Sequence, residues 1–136
     1  MKKEKLLQKS TSRRQLLQNT IDHFDSKTRA TTSGGACQFY IDDHTRCAIG
    51  RECSIEECKE MDFEADNAEG MYELLKKYAP KRLTKLNIDF LIDIQSIHDH
   101  ALNWDEDGLT EKGIFQVNSL IAKYNITGVT VPKLQH

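Results

Sequence analysis

The stretch from Gly34 to Gly50 constrains the fold most, because it is where helical patterning breaks. Two short extended runs, Cys37 to Ile41 and Arg46 to Ile49, flank the polar link Asp42-Asp43-His44-Thr45, with glycines at both ends. That is the pattern of a β-hairpin, and glycine at its ends permits positive φ or close approach of another backbone. The rest of the chain reads as helix, so the hairpin is the one element around which helices must be arranged.

The helices announce themselves by caps and apolar stripes. Ser12 with Gln15 three residues on opens a helix to about Asp25 whose stripe is Leu16, Leu17, Ile21 and Phe24. Ser26 to Gly35 is a loop rich in Ser, Thr and Gly. Ser54 with Glu57 forms a second capping box, starting a short helix that carries Cys58 and Met61. Met71, Leu74, Leu75 and Tyr78 fall at i, i+3, i+4 and i+7, and Pro80 ends that helix. Asn87 caps a helix with the stripe Phe90, Leu91, Ile94, Ile97, Ala101 and with His98 on the same side. Asp99 and His100 lie off the centre of that stripe. Asp105-Glu106-Asp107-Gly108 is a turn, Thr110 opens a last helix with Ile114, Val117, Leu120, Ile121 and Tyr124 inward, and Val129 to Val131 is expected to close as a short strand.

At 136 residues with a mean hydropathy of -0.60 the chain fits one polar, globular domain. We expect an α+β domain, mostly helical, with four to five helices packed around one β-hairpin over 12–136, preceded by a flexible basic tail over 1–11. A net charge of -2 does not advertise nucleic acid. The basic clusters Lys2 to Arg14 and Lys76 to Lys85 offer a local patch, but they lack interleaved aromatics and are offset by the acidic run from Glu52 to Glu69, read as a solvated face. No apolar run is long enough to span a bilayer, and Met1-Lys2-Lys3-Glu4-Lys5 is followed by only two leucines, so we expect no membrane partner, a cytoplasmic location and reduced thiols.

The cysteines stand at 37, 47, 53 and 58, a spacing without a Cys-x-x-Cys pair. A metal site would have to be assembled across elements, and Cys37, Cys47, Cys53 and His98 are the set that could give zinc four thiolate and imidazole ligands. A cysteine hydrolase or transferase would use Cys37 or Cys47 with His98, and with the backbone N–H groups near Gly34 and Gly35 as an oxyanion site. Against it, Asp99 follows His98 directly and points about 100° round the helix, badly placed to orient its neighbour's ring. The plainer expectation is that the cysteines are small apolar fillers and that the ring N–H of His98 meets a carbonyl in the core. Asn103-Trp104-Asp105-Glu106-Asp107-Gly108 matches the first half of a calcium loop, yet Ile114 occupies the position that requires a bidentate Glu, so an acidic turn is expected there.

Cys37-Gln-Phe-Tyr, Arg46-Cys47-Ala48-Ile49-Gly50 and Gln95-Ser96-Ile97-His98-Asp99 together resemble a loose group of small uncharacterised proteins of bacteria and their phages, with Cys-x-Tyr, Cys-Ala-x-Gly and Gln-x-x-His-Asp segments. The resemblance covers most of 35–105 and implies no activity. It implies that Cys37, Tyr40, Cys47, Gly50, His98 and Asp99 form one cluster, with the helix docked on the hairpin. The expected function is that of a small intracellular accessory protein of phage or mobile-element type that binds another macromolecule, most simply a protein. A cysteine-dependent enzyme and a zinc-stabilised domain are the alternatives.

Overall fold

Ser12 accepts a hydrogen bond from the backbone N–H of Gln15 and starts α1, Arg13–His23. The structure, a computed structural model, describes residues 10, 12–26, 39–42, 45–65 and 70–132. Within these, β1 (Tyr40–Asp42) pairs antiparallel with β2 (Thr45–Arg46), and a 3-10 turn at Gly50–Glu52 leads into α2, Ile55–Glu64. There follow α3 (Met71–Tyr78), the single-turn α4 (Lys81–Thr84) and α5, Ile88–Asp99. A second 3-10 turn, Ala101–Asn103, opens a small ladder of β3 (Trp104–Asp105) and β4 (Gly108–Leu109), and α6, Glu111–Tyr124, closes the order. The result is the expected mostly helical α+β domain.

The capping chemistry works as the sequence suggests. Ser54 and Glu57 exchange side chain and backbone bonds in a full capping box, Asn87 accepts from Asp89 and Phe90, and Thr110 accepts from Gly113. Each satisfies N–H groups that a helix leaves open at its start. α5 is the spine: it buries Phe90, Leu91, Ile94 and Ile97 and packs on α1, α3 and α6. Each of those side chains contributes about 1.5–3 kcal/mol of burial free energy. Arg13 locks three elements by donating to the Leu86 carbonyl at 2.8 Å while its guanidinium lies over the rings of Phe90 and Tyr124.

Several expectations need correction. The second hairpin strand ends at Arg46, because Cys47, Ala48 and Ile49 turn into the 3-10 element instead of extending the ladder. α5 ends at Asp99, before Ala101, where the chain tightens into its 3-10 turn. Val129 to Val131 forms no strand; that segment runs beside α1, where Gln18 exchanges two hydrogen bonds with the Thr130 backbone. The acidic run is not wholly a solvated face, since Glu52 is buried and accepts the Ser10 N–H, and Asp62 accepts from the Phe39 N–H at 2.8 Å. The tail expected over 1–11 lies outside the described residues except for Ser10, which is buried against Glu52 and Asn19.

Candidate functional site

Two places were expected to matter or are exposed in a way that calls for explanation. The first is the junction of α5 with the segment after the hairpin. Gln95 joins them: its Oε1 accepts from the Ile49 N–H at 3.3 Å, and its Nε2 donates to Asp99 Oδ1 at 3.0 Å. His98 is fully buried, with Nδ1 3.1 Å from the same Asp99 oxygen and its ring edge-on to Phe24, centroids 4.7 Å apart. The adjacent carboxylate makes Nδ1 the protonated nitrogen.

This overturns the sequence argument about Asp99. Its carboxylate does hold the neighbouring ring, because at the last turn of α5 it is only partly exposed and folds back toward Gln95 and His98. The partner of His98 Nδ1 is thus a carboxylate and not a backbone carbonyl.

The cysteines organise the turn at Gly50. Cys47 Sγ accepts the Gly50 N–H at 3.2 Å, and the Cys58 thiol donates to the Gly50 carbonyl at 3.1 Å. Cys53 hydrogen-bonds Cys58, and that bond followed by burial pushes the Cys53 thiol well above the ordinary thiol range. All three are buried free thiols. Gly50 is required by contact: a Cβ there would lie 2.0 Å from the Phe39 carbonyl oxygen. The ring of His98 and the residue Cys47 are both buried. Tyr40 stands on β1, while Cys37 and His44 lie outside the described residues. Among the described residues no three His, Cys, Asp or Glu side chains converge as metal ligands.

His23 sits at the rim of this cluster. Burial, and then the Arg51 guanidinium, push its imidazole down to about 4, with Asp25 pulling the other way. The basic patches are partly spent inside the fold. Arg13 points inward as described, Lys77 pairs with Glu73, and Arg82 donates to the Glu52 carbonyl at 2.7 Å and to Glu57 at 3.1 Å.

The second place was not legible as a site. Leu102 in the second 3-10 turn and Phe115 on α6 are 69% and 67% exposed, and they face an open groove of about 690 Å³ with Thr110, Glu111, Lys112 and Gln116. Lys112 and Gln116 also border a smaller pocket of about 150 Å³, completed by Ser96, Ile97, His100 and Asn103. Asn103 is positioned from three sides. Its Nδ2 donates to the Ile97 carbonyl, its own carbonyl accepts the Thr110 N–H at 2.8 Å, and Gly113 lets α6 approach so closely that a Cβ would lie 2.3 Å from that carbonyl oxygen. The only hint in the sequence was Phe115 standing one residue off the inward stripe of α6.

No helix among the described residues is long and apolar enough to cross a membrane. The described residues form a small, mostly helical α+β arrangement with a buried polar junction and an exposed apolar groove at Leu102 and Phe115. Comparison with protein-family models, with curated proteins and with solved structures finds no match to this chain.

Proposed function

We propose that the protein is a small macromolecule-binding module, an accessory factor of the kind suggested by its resemblance to small phage and bacterial proteins, and that it engages a protein partner at the groove of Leu102 and Phe115. The observation that carries this is the pairing of two large apolar side chains, each about two-thirds exposed, on one groove beside a polar pocket. Large exposed apolar groups rimmed by polar ones mark interaction surfaces, and aromatic residues dominate the energetics of such contacts. The polar cluster of Gln95, His98 and Asp99 ties α5 to the segment after the hairpin, which fits a role in the fold. The mechanism is surface recognition without turnover.

The test is photo-cross-linking in cells, with benzoylphenylalanine replacing Phe115 in one protein and Phe63, which is 76% exposed on α2, in another. A discrete adduct from position 115 and none from position 63 is expected. Equal or absent adducts at both positions would remove the groove from consideration.

A further inference from the structure

The start of α2 carries two cysteines where helices often carry two apolar side chains. Ser54 is the N-cap, so Cys53 precedes it and Cys58 is the fourth residue of the helix, the two positions whose side chains pack together across a capping box. Here they are held closely. The Cys58 thiol and the Cys53 N–H both donate to the Gly50 carbonyl, each at 3.1 Å, and the Cys53 thiol hydrogen-bonds Cys58. Arg46, at the end of β2, donates to the Cys53 carbonyl at 3.0 Å. Two thiols, neither of them in a disulfide, are thus kept side by side by a cap, a turn and a strand, and neither borders the groove of Leu102 and Phe115.

We propose that Cys53 and Cys58 form a reversible disulfide, closing over the first turn of α2 on exchange with a small disulfide such as oxidised glutathione. In a reducing compartment the pair stays open, and it closes on oxidation. Cys58 is the attacking sulfur. The bond from Cys53 holds its thiol below the ordinary range against the effect of burial, with the Arg46 guanidinium adding to the shift. The Cys58 thiolate attacks one sulfur of glutathione disulfide and releases one glutathione thiolate, leaving a mixed disulfide. Cys53, deprotonated, then attacks Cys58 Sγ, the bond to glutathione breaks, and the second glutathione leaves. Two cysteine thiols are oxidised, one glutathione disulfide is reduced, and the two cysteine protons end on the two glutathione thiols.

Both residues are buried, so exchange in the native protein waits on local opening of the turn and is slow. The closed form has no S–H at Cys58. The Gly50 carbonyl then keeps the Cys53 N–H and loses the Cys58 thiol, so oxidation acts on the turn that joins the hairpin to α2.

Trypsin separates the possible pairings. Cleavage after Arg29, Arg46, Arg51 and Lys59 puts Cys53 and Cys58 together in peptide 52–59, Cys47 in 47–51 and Cys37 in 30–46. The reduced full chain is unfolded, refolded in about 1 mM each of reduced and oxidised glutathione, and alkylated before digestion. Peptide 52–59 is expected to escape alkylation, to be lighter than its reduced form by two hydrogens, and to exceed any cross-linked pair of peptides by about tenfold. Native reduced protein left in the same buffer is expected to reach the same state over hours, with 15N shifts centred on 47–58 that dithiothreitol reverses. A peptide 52–59 that is still alkylated after refolding would overturn the pairing, as would cross-links of Cys37 or Cys47 formed as readily. Oxidation on refolding but not in the native protein would overturn its reversibility. Shifts spread over the whole spectrum would overturn closure within the fold.

Discussion

Among the described glycines, Gly50 has the closest contact for an added Cβ, so Gly50→Ala should be strongly destabilising. The added Cβ would sit 2.0 Å from the Phe39 carbonyl oxygen and 2.9 Å from its carbon, so the two backbones must separate by more than 1 Å to reach about the normal contact distance. The turn is held on several sides: Gly50 donates to Cys47 Sγ at 3.2 Å, and its carbonyl accepts from the Cys58 thiol and the Cys53 N–H, each at 3.1 Å. Overpacking of about 1–3 kcal/mol adds to the loss of one or two buried hydrogen bonds, for a total of about 3–5 kcal/mol. A chain of 136 residues has an unfolding entropy of about 0.29 kcal/mol/K, so Gly50→Ala should lower Tm by about 10–17 °C. Gly70→Ala is the comparison, since no atom lies within 4 Å of its added Cβ and only its backbone, at φ 109° and ψ 176°, is unfavourable for alanine, a cost of about 1–3 kcal/mol. Melting followed by circular dichroism reads both. A Gly50→Ala protein that melts no lower than Gly70→Ala would refute the close approach of the turn to Phe39.

Cys47, Cys53 and Cys58 are buried, so at most one of the four thiols should react quickly with a small disulfide reagent in the native protein, and all four on unfolding; a second fast native thiol would contradict the packing at Gly50. The His23 imidazole is held at about 4 in the folded state against 6.5 when unfolded, so the fold favours its neutral form. That contribution to stability is whole above pH 6.5 and is lost as pH falls from 6.5 toward 4; chemical denaturation across this range should show His23→Gln with a shallower acid loss than the wild type, and an unchanged slope would refute it.

The helices were legible because their starts and stops are local chemistry. Ser12, Ser54, Asn87 and Thr110 each bond backbone groups within three residues, and such partners can be read from spacing alone. The hairpin was legible in kind, though not in the extent of β2: Cys47 still donates to the Phe39 carbonyl at 3.4 Å, but its sulfur accepts the Gly50 N–H and the chain turns there. Asp99 was misjudged because helical angle fixes where Cβ points, while a carboxylate at a helix end can fold back toward a donor such as Gln95. Glu52 was misjudged for a different reason. Its partners, the Ser10 N–H and Arg51, include one distant in sequence, and a buried charge is recognised only once both are brought together. The groove at Phe115 was invisible for the same physical cause, because which side of α6 stays uncovered depends on how α5 and the second 3-10 turn meet it.

The measurement to make is the affinity of the partner captured at position 115 for the wild-type protein, Phe115→Ser and Phe63→Ser, by calorimetry on proteins of matched melting temperature. An aromatic side chain at the centre of an interface is worth about 2 kcal/mol or more, so Phe115→Ser should weaken binding about 30-fold while Phe63→Ser leaves it unchanged. Unaltered binding by Phe115→Ser would contradict recognition at this groove.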